Sequence, residues 1–203
     1  SFYNETQSKA ISPTPTIGGV GLIRDLNFMM TSKLKEIGSY IFVIGKTSGH
    51  LYQSEFFREV MKIYDGPSPG INLFNEKNNG LSIKKLISDS LVNSVHDISS
   101  GGILVALSEM CISSKIGAKI KISHDKINLH EYLFGEDQSR YLIEIKEENK
   151  DKVSNILKEN SIYFEIIGKT QKESLEINKD LKIKITELNK LNSLWFRKYF
   201  EEN

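Results

Sequence analysis

Apolar residues occur along the chain as short continuous runs and as stripes at helical spacing, and the alternation of the two sets out most of the elements. Tyr40-Ile41-Phe42-Val43-Ile44, introduced by Gly38 and Ser39 and ended by Gly45, predicts a buried strand. Tyr141 to Ile145, Ala118 to Ile122 and Tyr163 to Ile167 predict further strands, with two short ones near 175–177 and 181–185. Leu81, Ile83, Leu86, Ile87 and Leu91 form an amphipathic stripe that predicts a helix over 73–92. Helices are also expected over 54–63, 101–114, 149–160 and 187–200, with a short helical turn at 128–134. Asp65-Gly66-Pro67-Ser68-Pro69-Gly70 is a strong turn and stop signal. In the segment from Ile11 to Met30, Pro13 and Pro15 enforce extended backbone and Gly18, Gly19 and Gly21 permit close approach, which predicts a strand or strand edge. A domain boundary is expected near residue 38. Strands and helices of these lengths fit a layered α/β or α+β domain, and no solenoid period is visible.

Composition narrows the classes without choosing among them. At 203 residues, 39% hydrophobic and 26% charged, the chain can bury a real core. The formal charge of +1 supplies no field for nucleic acid, and lysines interleaved with glutamates read as solvated helix faces. No apolar stretch approaches the roughly 20 residues that span a bilayer. Cys111 stands alone in an apolar run, so an internal disulfide is excluded and a small buried hydrophobe in a reducing compartment is expected. The start, Ser1-Phe2-Tyr3-Asn4-Glu5-Thr6, lacks an initiating methionine and is expected to belong to a fragment.

Two polar stretches interrupt the apolar pattern and carry the candidate chemistry. In His96-Asp97-Ile98-Ser99-Ser100-Gly101-Gly102, a helix starting near Gly101 would point unsatisfied N–H groups at Ser99 and Ser100. Such a terminus can seat an anion such as phosphate, and a carboxylate as close as Asp97 would then call for a metal or a positive partner. Ser99 or Ser100 capping the helix is the alternative. In Phe134-Gly135-Glu136-Asp137-Gln138-Ser139-Arg140, consecutive polar residues before a strand can bind a polyol or phosphate, or close a surface turn with a local ion pair to Arg140. The histidines form no metal-binding pair, and His96 draws attention only because Asp97 could fix its tautomer. The glycines at 18, 19 and 21 are not a dinucleotide fingerprint, since no helix pattern opens after them.

These two stretches, with Ser1-Phe2-Tyr3-Asn4-Glu5-Thr6 and the run from Pro13 to Ile23, resemble in order the C-terminal part of the synthetase subunits of the phosphoribosylformylglycinamidine synthase family, short form. The resemblance extends to about Thr170 and implies membership of the superfamily that includes aminoimidazole ribotide synthetase. It implies an α+β fold, a layered α/β/α domain of the C-terminal type over 38–203, preceded over 1–37 by the tail of the second ATP-binding-type domain. It also implies an ATP-dependent ligase of purine biosynthesis that converts formylglycinamide ribonucleotide to the amidine with glutamine-derived ammonia and Mg2+. A separate glutaminase subunit, a small bridging subunit and a cytoplasmic location follow from the same likeness.

Carried over by motif, Ser1, Glu136, Gln138 and Arg140 would bind substrate; Ser99, Gly101 and Gly102 would bind nucleotide phosphate; Asp97 would hold the metal. No catalytic residue is assigned, and the chain alone is expected to be inactive. Ser100 stands where the family has aspartate, and Tyr52-Gln53 replace a Gly-Gly pair beside Ser54-Glu55-Phe56. The apolar stretch 17–30 is expected to expose surface and drive self-association. A stand-alone binding module of the same fold, or a sister enzyme such as aminoimidazole ribotide synthetase, are the other readings.

Overall fold

A computed structural model describes residues 4–10, 16–123, 127–179 and 181–201. Its centre is the predicted run Tyr40–Ile44 (β3), whose residues 41–44 are fully buried. Alternation along β3 sends Ile41 and Val43 to one face and Phe42 and Ile44 to the other, and each pair enters a separate apolar core. A strand buried on both faces reads as a continuous apolar run, which is why it was legible.

Six further strands join β3 in one sheet, in the order β4-β6-β3-β7-β5-β8-β9. They are Ser94–Asp97 (β4), Ile116–Ile120 (β5), Tyr141–Ile145 (β6), Phe164–Lys172 (β7), Ser174–Ile177 (β8) and Leu181–Lys184 (β9). All neighbours are antiparallel except β5 and β8. A separate hairpin pairs Glu5–Thr6 (β1) with Lys9–Ala10 (β2). Helices Leu73–Ser88 (α1) and Lys150–Glu159 (α4) cover one face around Phe42, Leu86, Ile143 and Leu157. Gly102–Ser114 (α2), Leu129–Phe134 (α3) and Ile185–Glu201 (α5) cover the other around Ile41, Leu107, Met110 and Leu142. The result is the expected layered α/β/α arrangement of the α+β class. Cys111 lies wholly inside the second core, and burial pushes its thiol pKa up to about 12.

Two expected elements differ. Residues 16–30 form no strand; they run in extended or irregular backbone with one 3-10 turn at Leu26–Phe28, and their large apolar side chains are exposed except Met30, which packs on the core around Phe42. A strand is held by its neighbour, and no described segment offers this stretch a ladder. The helix expected over 54–63 is reduced to one wide turn at Phe56–Met61, closed by the Lys62 N–H donating to Phe57 O, with Lys62 in the left-handed region. Phe56 and Phe57 are drawn instead into ring contacts with Phe134 and Tyr52, at 4.7 and 5.5 Å between centroids.

A buried carboxylate that the sequence did not flag fastens the segment before β3. Glu144 on β6 is fully buried and accepts from the backbone N–H groups of Lys35 (2.8 Å) and Glu36 (2.9 Å) and from Ser94 Oγ (3.0 Å). With these donors a buried carboxylate is satisfied rather than stranded.

Candidate functional site

Strand pairing brings the two polar stretches together. In the β4–β6 register Asp97 faces Tyr141, and the Ile98 N–H donates to Arg140 O at 2.9 Å. The loop 98–101 therefore leaves the sheet beside 136–140, although the two are far apart in sequence.

At the start of α2 the helix-capping group is neither serine. Gly101 occupies the cap position with φ +82, and no side chain of its own caps the helix. The anion at this terminus is Glu136: its Oε1 accepts from the Gly101 N–H and from the Glu55 N–H, both at 2.7 Å. The Gly102 N–H donates to Ser99 O at 3.1 Å. Both amides expected to receive phosphate are thus engaged within the chain. Gly102 has φ +69, and a Cβ there would sit 2.7 Å from Leu133 O and 2.8 Å from Gly135 O, so this glycine is required for close packing of α2 on the end of α3.

The rest of the 134–140 stretch is largely a brace. Asp137 Oδ2 accepts from the Ser48 and Gly49 N–H groups at 2.9 Å each. Arg140 is almost wholly buried; Nε donates to Asp137 O (3.0 Å), Nη1 to Thr47 Oγ1 (3.2 Å) and Nη2 to Gly135 O. Burial lowers its pKa, opposed by the nearby Asp137 carboxylate. A guanidinium enclosed in this way organises the loop and offers no face to a ligand. Asn79 of α1, also buried, donates from Nδ2 to Ser139 O at 2.8 Å and ties that helix to the same turn.

What remains open is a cleft of about 330 Å3. Asp97, Ser99, Ser100 and Gln138 contribute to its wall, and all four are exposed. Glu76 from the first turn of α1, with Glu136, Ser139 and Tyr141, adds to its polar lining. The Tyr141 phenol is raised above its ordinary pKa by burial first, then by the charges of Glu76 and Asp97. Tyr52 and Gln53, the residues that replace the Gly-Gly pair, line the same cleft. Ser1 lies outside the described residues.

The chemistry of this lining is acidic and hydroxylic. Its one basic side chain, Arg140, is enclosed, so a bare polyphosphate would meet Asp97 and Glu76 without an exposed countercharge. No cluster of three or more His, Cys, Asp or Glu side chains suited to a metal occurs among the described residues. One or two carboxylates with hydroxyls suit Mg2+ in its usual mode, in which waters and ligand phosphates supply the other oxygens. Asp97, Glu76 and Ser99 fit that mode and would not form a protein-only cage.

Glu109, which the sequence did not single out, makes the hydrogen bond to His96, while Asp97 stands within ion-pair distance of the ring. His96 Nε2 lies 2.9 Å from Glu109 Oε2 of α2, whereas Nδ1 is buried without a hydrogen-bond partner among the described residues, 3.4 Å from Asp97 Oδ1. Glu76, Asn79, Glu109 and Tyr141 carry no local signal of a site. Each takes its place through tertiary packing, and only Tyr141, at the strand end of the second polar stretch, belonged to a stretch already singled out.

Residues 36–179 match the family model described as "AIR synthase related protein, C-terminal domain". The chain is 50% identical over 201 residues to the phosphoribosylformylglycinamidine synthase subunit PurL of Pelagibacter ubique, covering 99% of the chain and 28% of the relative. It is 38% identical to PurL of Bartonella henselae, covering all of the chain and 27% of that protein. The chain thus spans under a third of the length of these relatives. Among solved structures, the fold resembles Thermotoga maritima PurL complexed with FGAR, with a TM-score of 0.69 at 17% identity over 80% of this chain and 30% of that one. The same T. maritima protein has been solved with ATP and within a PurLQS structure, each matching with a TM-score of 0.62 over 80% of this chain and 27% and 28% of those chains.

Proposed function

The chain belongs to the family of AIR synthase related proteins, and from that premise we propose that it works as part of an ATP-dependent phosphoribosylformylglycinamidine synthase, as the similar PurL subunits are named. In this reading residues 38–203 are the second C-terminal-type domain and residues 1–37 end the second ATP-binding-type domain. The reaction transfers the ATP γ-phosphate to the amide oxygen of formylglycinamide ribonucleotide, and ammonia derived from glutamine then displaces phosphate to leave the amidine. Positioning and cationic neutralisation of phosphoryl charge would supply its rate.

The observation that carries the reading is the convergence of the 97–102 and 136–140 stretches on one cleft. Within it the roles divide. Asp97, with Glu76, would hold Mg2+, and Ser99 and Gln138 would donate to phosphate or ribose oxygens. Glu136 and Arg140, first read as substrate ligands, would position the loops, as would Gly101 and Gly102. When bound, Mg2+ would neutralise the phosphate charge that the two carboxylates otherwise repel. The T. maritima complexes with FGAR and ATP support the substrate and the nucleotide, and the PurLQS structure supports further subunits as partners, which in this reading are a glutaminase and a small bridging subunit. A cytoplasmic location accords with this set. The internal use of Glu136, Asp137 and Arg140 favours, as a second reading, a non-catalytic binding module of the same fold.

Titration with ATP, followed by amide NMR, tests the site. Mg·ATP should move the Ser99, Ser100 and Gln138 signals, and ATP in EDTA should move them far less. Equal shifts with and without magnesium would remove Asp97 and Glu76 from metal binding, and no shift at all would reject the nucleotide site. The purified chain should form no amidine from ATP, ammonia and formylglycinamide ribonucleotide; turnover by the chain alone would overturn its dependence on further domains.

A further inference from the structure

Residues 62–72 pass from the wide turn at Phe56–Met61 to α1 without regular structure. Pro67 and Pro69 remove two backbone donors from this strap, and its carbonyls are met by side chains from one short stretch. Gln53 Nε2 donates to Tyr64 O (3.2 Å) and Gly66 O (3.0 Å), and His50 Nε2 is hydrogen-bonded to Pro67 O at 3.0 Å. The Tyr52 ring packs against Gly66, where φ is +123 and a Cβ would overlap the ring. Gln53 itself has φ +61, a conformation that side chains beyond glycine and asparagine seldom adopt. Tyr52, Gln53 and Pro69 of the strap all line the cleft. Hence the hydrogen bonds that fix the strap also fix part of the cleft wall.

We propose that Gln53 is a positioning residue: with His50 and Tyr52 it clasps the 62–70 strap against the cleft, and strap opening sets how fast a magnesium nucleotide enters. The entry step rests on the nucleotide reading above; the clasp does not. The two Gln53 bonds are exposed, so their loss should multiply the open population by only about fivefold.

Two variants separate the clasp from general folding. Gln53→Gly removes the amide and suits the left-handed backbone, and Gln53→Glu keeps the shape but replaces the donor with a charge that repels both carbonyls. Each should speed tryptic cleavage after Lys62 and chymotryptic cleavage after Tyr64 by about fivefold, with cleavage elsewhere unchanged, because cleavage tracks the open population. Gly66→Ala, which attacks the clasp from the strap side, should do the same. Stopped-flow mixing with Mg·ATP should show association and dissociation both faster in Gly66→Ala, whose site lies outside the cleft lining, with little change in Kd. Unchanged cleavage overturns the clasp, and faster cleavage with an unchanged association rate overturns the gate. If Mg·ATP binds no form of the protein, the nucleotide reading and the gate fall together, while the proteolysis still decides the clasp.

Discussion

Glu136 receives two backbone N–H groups from different loops on a single oxygen, and this arrangement alters the meaning of every residue around it. The Gly101 N–H that the sequence offered to a phosphate donates to a carboxylate of the chain, and the proposed ligand contacts therefore rest on the exposed Asp97, Ser99 and Gln138. Glu136→Ala would strand the Gly101 and Glu55 donors and should destabilise the protein by about 2 kcal/mol, whereas Glu136→Gln keeps an acceptor and should cost about 1 kcal/mol. Urea unfolding of both variants checks this, and equal losses would mean that the two N–H bonds contribute nothing beyond side-chain packing. The polar character of both stretches was legible in the sequence. Their mutual engagement was not, because it depends on the β4–β6 register, which sets Asp97 opposite Tyr141 across a long interval of chain. Local pattern identifies a loop rich in donors and acceptors but does not say which groups that loop will meet.

At the level of elements, continuous apolar runs declared themselves best. Tyr40–Ile44 and Tyr141–Ile145 lie where the pattern put them, since burial on both faces leaves no polar alternation to confuse the reading. β7 extends to Lys172, beyond the predicted end, because β5 pairs with its polar second half from Gly168 to Lys172 after β3 stops at Lys169. Residues 17–30 failed in the opposite sense, having an extended composition and no ladder to join. The far edge of the sheet is held by a different device. Glu176 on β8 lies 3.2 Å from Lys119 Nζ on β5 and 2.6 Å from Lys182 Nζ on β9, directly across both registers. Hydrogen bonds from Lys182 first, and then Lys119, hold its carboxyl down at about 2. A depressed carboxylate contributes stability that is present above the unfolded value near 4.5 and is lost as pH falls towards 2. Amide exchange in β9 should therefore quicken over that window, more weakly in high salt, and Glu176→Gln should flatten the response. A β9 response identical in the variant would assign the acid loosening to other carboxylates.

Across the whole molecule, polar and apolar surface are unevenly divided. The two cores are closed, yet Ile17, Val20, Leu22 and Leu26 are each at least three-quarters exposed on a segment that packs on nothing of its own length. A second apolar surface runs along α5, where Trp195, Phe196, Tyr199 and Phe200 touch mainly one another. Single exposed apolar residues are ordinary, but concentration into segments of this kind marks surface that another chain or domain covers. The curated relatives are more than three times as long as this chain, so further domains are the natural cover in proteins of that length. In the isolated chain the same surface has only other copies to meet. Sedimentation should accordingly show mass rising with protein concentration, and added salt should strengthen rather than dissolve the association, because the contact is apolar and not ionic. Leu22→Asp with Leu26→Asp should return the protein to monomer if residues 16–30 carry the contact, and Trp195→Asp should do so if α5 carries it. A single monomeric species at all concentrations would mean that the exposed residues are dispersed enough to be solvated and that neither segment needs a covering partner.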